Sequence, residues 1–229
     1  SSCGSILLLS VTNHFSQNVA VVPFLWVMPL AVYLLSFILT FSKSGFYNRV
    51  VFGILMMLFT TFCAILYVRD DLIQNVILLL AIHLTALFAG CMICHGELFR
   101  IRPSPHSLTS FYLAVSLGGA IGGWFVSLIA PLIFLQFYEY PIALMACWLI
   151  FIITALSDKA SSLYGGKPLW AWGAIFVLLF FFTNEVQKGM TQFTSDSFLL
   201  RRNFYGVLSI HMVVKSEGPV LSLRNGTIQ

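Results

Sequence analysis

Charged side chains are scarce in this chain. Asp, Glu, Lys and Arg make up 9% of its 229 residues, whereas soluble domains carry roughly 25%. Apolar residues make up 59%, and the mean hydropathy is +0.93. This composition excludes an ordinary water-soluble domain and predicts an integral membrane protein whose main partner is the lipid bilayer. The 12 Lys and Arg residues mostly mark helix ends in such proteins, so no nucleic-acid partner is expected.

A disulfide framework is also lacking. The chain has five cysteines, an odd number. All except Cys3 lie in apolar runs, where a thiol behaves as a small hydrophobic group. We predict no metal site and no cofactor. The chain opens with SSCGSILLLS, without the Met and the basic region of a signal peptide. We expect these first residues to be the end of a longer segment.

Long apolar runs are the dominant feature. A helix needs about 20 apolar residues to cross the roughly 30 Å hydrocarbon layer. Such runs predict an all-α integral membrane protein, a polytopic bundle of about six or seven transmembrane helices. The six segments are 21–41, 50–68, 72–98, 108–134, 140–156 and 168–182, and Ile6 to Val11 is predicted to be the tail of another helix.

Basic residues follow alternate segments. The loops after the first, third and fifth segments are basic, and the loops between them are not, so the positive-inside rule places the basic loops in the cytoplasm of a bacterial inner membrane. If the sixth segment crosses, everything after Phe182 lies on the opposite side. The basic residues are Lys43, Arg49, Arg100, Arg102, Lys159 and Lys167.

From Thr183 the composition becomes mixed and polar. The stretches 204–214 and 219–229 are rich in β-branched and aromatic residues and are separated by a turn-like KSEG. They predict a short C-terminal β-hairpin, and a lone hairpin is marginal in water. We therefore divide the chain into a transmembrane domain, 1–183, and a truncated β extension, 184–229.

The stretch CMICHGELFRIRP (91–103) contains Cys-x-x-Cys-His, the pattern of c-type haem attachment. Haem would use Cys91, Cys94 and His95. Attachment needs a flexible segment at an aqueous face, but this motif lies in the last turns of an unbroken apolar helix that ends in the cytoplasm. The pattern is therefore interpreted as accidental, with a haem-bearing subunit as the last of the alternatives.

Helical spacing places His83, Gly90, Cys94 and Glu97 on one face of the third segment. An ionisable group near the middle of a span indicates a functional site or a hydrogen bond to a neighbouring helix. His83, Cys94 and Glu97 are thus a candidate intramembrane polar site, although for His83 the hydrogen bond is favoured. For Glu97 we expect an interfacial ion pair with Arg100, three residues on.

SLGGAIGGWF in the fourth segment contains two pairs of glycines four residues apart. Small residues at this spacing let two helix backbones approach closely in lipid. A dinucleotide-binding motif would need a preceding strand, and none is predicted here. They predict a helix-packing face. The glycines are Gly118, Gly119, Gly122 and Gly123.

Three long blocks resemble the membrane part of bacterial proteins that combine a transporter-like region with a spermidine synthase-like, or polyamine aminopropyltransferase-like, domain. They are VAVVPFLWVMPLAVYLLSFIL (Val19 to Leu39), CHGELFRIRPSPHSLTSFYLAVSLGGAIGGWF (Cys94 to Phe125) and APLIFLQFYEYPIAL (Ala130 to Leu144). The stretch from Arg201 to Gln229 resembles the first strands of the synthase-like domain. Cys94 to Leu98 matches a Cys-His-Gly-Glu-Leu motif of the family.

The resemblance implies little catalysis in this chain. Gln229 matches a Gln that touches the nucleotide substrate in the family, but Asn225 stands where an Asp is usual and Tyr205 where a Gln is usual. The family's acidic residues that hold the diamine would lie beyond Gln229, so no catalytic residue is assigned.

The function expected from these observations is that of a non-catalytic membrane module or accessory subunit of a spermidine synthase-like protein, assembling with other membrane subunits. One alternative is a membrane-bound aminopropyltransferase with its catalytic domain beyond Gln229. Another is a carrier of polyamines or other small cations, which needs acidic groups at mid-membrane.

Overall fold

The computed structural model describes residues 1–18, 23–42, 46–69, 75–159, 161–195, 199–203, 206–215 and 218–225. It confirms the predicted helical class, with a small antiparallel sheet at the C-terminal end. The helices are α1 (Ser2–Asn18), α2 (Pro23–Ser42), α3 (Arg49–Val68), α4 (Val76–Arg100), α5 (Leu108–Trp124), α6 (Ala130–Ile133), α7 (Glu139–Ser157) and α8 (Leu169–Ser195). The strands are β1 (Leu199–Asn203), β2 (Gly206–Lys215) and β3 (Gly218–Asn225).

Within the described ranges, six helical spans are long and apolar enough to cross a membrane, which confirms the six apolar segments predicted from the sequence. They are Leu25–Ser42, Arg49–Val68, Val76–Arg100, Pro105–Ile133, Glu139–Ser157 and Leu169–Gln192. In the fourth span, a π-helical turn at Phe125–Ile129 joins α5 to α6.

The change of composition at Thr183 does not end the last helix, because α8 continues to Ser195. The proposed boundary between 183 and 184 therefore lies inside a helix. The polar residues that follow are compatible with helix, and Glu185 pairs with Lys188 one turn later at 2.6 Å.

Asparagine side chains begin two of the long helices. The amide oxygen of Asn48 accepts hydrogen bonds from the backbone N–H groups of Val50 and Val51 at the start of α3. Asn75 does the same for Ile77 and Leu78 at the start of α4. Each cap satisfies N–H groups that a helix leaves without partners, so both starts are set locally by the sequence.

Helix α1 is a core element rather than a short tail. Leu7, Val11 and Phe15 are fully buried, and α1 packs against α2, α4, α5 and α7. Three of its hydroxyls, on Ser10, Thr12 and Ser16, donate to carbonyls of the same helix at 2.7 to 2.9 Å. Helix α4 is also central, since it contacts α1, α2, α3 and α7.

The two strands of the predicted hairpin are present as β2 and β3, but a third strand precedes them. The order is β1-β2-β3, and both pairings are antiparallel. Strand β1 reads LLRRN, and its two adjacent arginines do not resemble a strand pattern. It is fixed by pairing with β2, where Arg202 lies opposite Val207.

The four glycines of SLGGAIGGWF lie against α1. A Cβ atom built on Gly122 would stand 2.6 Å from the backbone oxygen of Ser2, and one on Gly118 would stand 3.2 Å from the Cβ of Ser1. A Cβ on Gly119 would lie 3.4 Å from the Ser5 hydroxyl oxygen, and one on Gly123 would lie 3.7 Å from the Leu9 side chain. This face brings the first turns of α1 into backbone contact with α5.

We predict that Gly122→Ala destabilises the bundle and that Gly123→Ala does not. The new methyl group at 122 would meet a backbone oxygen, so α1 must move, and such overpacking costs about 1–3 kcal/mol. At 123 the methyl group would make an ordinary contact. The free energy of unfolding in detergent measures both variants, and equal values would contradict this account of the glycine face.

Candidate functional site

A charged cluster closes the bundle at the end where α4 finishes and α3 begins. The Arg49 guanidinium donates to both oxygens of Glu97, from Nε to Oε1 and from Nη2 to Oε2, each at 2.6 Å. Both side chains are nearly buried, with 6% and 11% of their surfaces exposed. A bidentate arginine–carboxylate pair of this kind fixes both distance and orientation.

Asp158 extends the cluster to the end of α7. Its Oδ2 atom accepts from Arg49 Nη1 at 2.9 Å and also from Arg100 Nη2. The expected pairing of Glu97 with Arg100 is therefore wrong. Among the described side chains, Glu97 binds Arg49 and Arg100 binds Asp158. The reason is that α3 packs against α4 and brings Arg49 closer to Glu97 than Arg100, which lies on the next turn of α4.

Tyr47 completes this cluster from the loop before α3. Its hydroxyl donates to Glu97 Oε1 at 2.6 Å, and burial together with the Glu97 carboxylate raises the pKa of Tyr47. A Cβ on Gly96 would lie 2.4 Å from the Tyr47 ring, so the motif's glycine makes room for the tyrosine. The cluster ties together the three loops predicted to be cytoplasmic.

A second ion pair closes the opposite end. Arg202 of β1 donates to Glu139 at the start of α7, from Nη1 to Oε2 at 2.9 Å and from Nη2 to Oε1 at 2.6 Å. The two side chains are 2% and 0% exposed. Arg202 also donates to the carbonyl of Gln136 and lies over the ring of Phe137, 4.4 Å from its centroid.

Sequence reasoning missed this pair, although a signal was present. Glu139 is an acidic residue within the largely apolar stretch LQFYEYPIAL, residues 135–144. A carboxylate there needs a cationic partner, and its place in the first turn of α7 is favourable for a negative charge. Nothing in the spacing identified Arg202, 63 residues away.

The predicted intramembrane polar residues lie on α4 but in three separate surroundings. His83 is 2% exposed and its Nδ1 lies 2.9 Å from the backbone oxygen of Leu79. Its ring stacks on His14 of α1, with centroids 5.0 Å apart, and His14 in turn stacks on Tyr140. Eleven residues of helix, about 16 Å, separate His83 from Cys94, so the two do not form one site.

The Cys-x-x-Cys-His residues are all buried between helices. Cys91 is 0% exposed, Cys94 5% and His95 1%. Helix α4 runs unbroken through them, so these thiols are closed to a macrocycle at an aqueous face. This geometry does not fit covalent haem attachment.

His95 contacts Ser36 of α2. The Ser36 hydroxyl donates to the carbonyl of Tyr33 at 2.7 Å, and its oxygen lies 3.0 Å from His95 Nδ1. In the described part of the chain Nε2 has no hydrogen-bond partner, and a Cβ on Gly4 of α1 would lie 3.5 Å from it.

Three cysteines from three helices meet beside this histidine. The Sγ atom of Cys147 on α7 lies 3.6 Å from that of Cys3 on α1 and 4.0 Å from that of Cys94 on α4. All three Sγ atoms lie within 4.8 Å of one another. All five thiols of the chain are free. The sequence predicted no metal site, and it could not have found this group, whose members are 53 to 144 residues apart.

Gln229, which was expected to touch a nucleotide substrate, lies outside the described residues, as does Tyr205. Asn225 is the last residue of β3, opposite Leu208. The role of Gln229 stays a prediction.

We predict that Arg49→Met lowers the free energy of unfolding in detergent by about 3–5 kcal/mol, because it leaves the buried Glu97 without its cation. Arg100→Met is the matched control. Its side chain is 41% exposed and shares only Asp158, so the loss should stay below about 1 kcal/mol. Similar losses in the two variants would show that Arg49 is no more important than a surface cation.

No family model, no curated protein and no solved structure matches this chain. The resemblance to spermidine synthase-like membrane proteins therefore stays a prediction. What the protein does must be inferred from the geometry of its own buried groups, two of which are bidentate ion pairs at opposite ends of the bundle.

Proposed function

We propose that this chain is a non-catalytic membrane module of a spermidine synthase-like protein, which crosses the bacterial inner membrane and holds an extramembrane β unit in a set orientation. The observation that carries the proposal is the buried pair between Glu139 of the bundle and Arg202 of the sheet. Within a larger assembly, the module would be an anchor and an accessory subunit.

The geometry of Arg202 favours a rigid attachment. A guanidinium that makes two parallel hydrogen bonds to one carboxylate accepts only a narrow range of orientations. The ring of Phe137 and the carbonyl of Gln136 restrict it further. Because Arg202 belongs to β1, and β1 is bonded to β2 and through it to β3, the whole sheet is oriented by this contact.

The position of the sheet agrees with the charge pattern of the loops. Glu139 is the first residue of α7 and Asp158 follows its last, so the two ion-paired ends are about 29 Å apart along one helix. That length matches the hydrocarbon thickness. The sheet would then lie on the side opposite the basic loops, away from the cytoplasmic pool of nucleotide substrates.

The state of the carboxylates argues against a polyamine carrier. All four carboxylates in the described ranges, Glu97, Glu139, Asp158 and Glu185, are engaged in ion pairs. A carrier needs free acidic groups inside the membrane. A cation that entered here would have to displace an arginine or a lysine of the chain.

The anchoring role can be tested by cutting the covalent link. A protease site between α8 and β1 would be introduced into the natural full-length chain, the protein cleaved in detergent, and both parts followed by gel filtration. We expect the C-terminal part to stay bound to the bundle. We also expect Glu139→Gln to release it, because the change leaves a buried arginine without its carboxylate.

Arg201→Met is the matched control, since Arg201 is the exposed neighbour of Arg202 on the same strand. This variant should retain the C-terminal part as the parent does. Release from the cleaved parent protein, or retention by Glu139→Gln, would overturn the anchoring role. Formation of spermidine from putrescine and decarboxylated S-adenosylmethionine by the purified full-length protein would overturn its non-catalytic character.

A further inference from the structure

We propose that Cys3, Cys94 and Cys147 form a binding site for one monovalent soft metal ion, of which Cu(I) is the biological representative. The site lies inside the bundle where α1, α4 and α7 meet. It is separate from both ion-paired ends and is independent of the anchoring role.

The spacing of the sulfur atoms fits a single metal ion. Metal–thiolate bonds of about 2.3 Å place sulfur atoms about 3.8 Å apart in a tetrahedral set and about 4.0 Å apart in a planar trigonal one. The observed separations from Cys147 are 3.6 Å to Cys3 and 4.0 Å to Cys94. The three thiols are free, and these separations, which are also those of S–H···S contacts, are ones that a single metal ion could bridge.

The ligand set selects a soft ion. It is made of sulfur alone, and in the described part of the chain no fourth His, Cys or carboxylate joins the group. Thiol ligands favour Cu(I) and Zn²⁺, and oxygen-preferring cations would find no ligand here. Structural zinc sites are almost always four-coordinate, so a three-sulfur site without a fourth donor fits Cu(I) better.

The binding step is a loss of protons without a change of oxidation state. Cys94 and Cys147 lie in the main apolar core with Leu7, Ala143 and Leu144. A thiol binds a metal ion as the thiolate. Each cysteine that binds Cu(I) therefore gives up its proton to the solvent.

A route of entry lies beside Cys3. This residue belongs to the interface between α1 and α4, where a Cβ on the neighbouring Gly4 would lie 3.9 Å from the Cβ of Cys94. Cys3 is the half-buried member of the group, so the ion would arrive from its side.

The position of α1 explains why three distant cysteines meet. The glycines of α5 let the first turns of α1 approach closely, and Gly90 of α4 leaves room for Leu7 and for the Sγ atom of Cys147, 2.8 and 3.4 Å from where its Cβ would be. A bulkier residue at these positions would move α1 and separate Cys3 from the other two thiols.

The test is an anaerobic titration of the purified full-length protein in detergent with Cu(I), in competition with a chromophoric Cu(I) chelator. We expect one Cu(I) per chain. Because loss of a supporting residue already weakens metal binding about 10–100-fold, Cys94→Ser and Cys147→Ala should each lower the affinity by more than about 100-fold. X-ray absorption of the copper-loaded protein should show sulfur ligands only.

Cys91→Ser and Cys63→Ser are the controls, because both thiols are buried yet neither belongs to the group. They should bind Cu(I) as the parent does, and the melting temperature of every metal-free variant shows whether it is folded. Unchanged affinity in a folded Cys147→Ala would overturn the site, as would a disulfide between two of the three cysteines in the isolated protein. Preferential binding of Zn²⁺ would overturn its assignment to a monovalent ion.

Discussion

The structure depends on one constraint: a charge inside an apolar bundle must have a partner of opposite charge. Helix α7 has a carboxylate at each end, Glu139 at its start and Asp158 just after its last residue. Each is matched by an arginine from another element, Arg202 and Arg49. Removing Arg202 would leave the Glu139 carboxylate without its cation, and removing Arg49 would leave Glu97 without its own. An unpaired buried charge of this kind is strongly destabilising.

Among the described residues, the charged groups lie at the ends of the bundle and the polar groups in its middle are neutral. The hydroxyls there mostly bond to carbonyls of their own helix, as Ser10 and Thr60 do, and Trp148 donates to the Thr60 hydroxyl. Of these neutral groups, the imidazole rings and the thiols are the ones that can act as metal ligands. The anchoring role and the proposed soft-metal site are therefore compatible, because the first uses the ends of the bundle and the second uses its centre.

The sequence predicted features that depend on nearby residues. The six spans follow from runs of apolar residues, and the glycine face follows from spacing at four residues, which places Gly118 and Gly122 on one side of α5. Glu97 was correctly predicted to bind a cation, but the predicted partner, Arg100, was wrong. Helical spacing indicates a contact between residues three positions apart, whereas no pattern in the sequence indicates a contact with Arg49, which is 48 positions away. Strand β1 was not predicted, because its adjacent arginines, Arg201 and Arg202, interrupt the pattern of β-branched and aromatic residues that indicates a strand.

The sequence by itself determined the helical class, the apolar runs that form the candidate spans and the scarcity of charge. These properties are set by composition and hydrophobic length. Only the tertiary structure decided that Arg202 binds Glu139 and that Cys3, Cys94 and Cys147 face one another. Those contacts join residues far apart in the chain, and their partners are chosen by how α1, α4, α7 and the sheet pack.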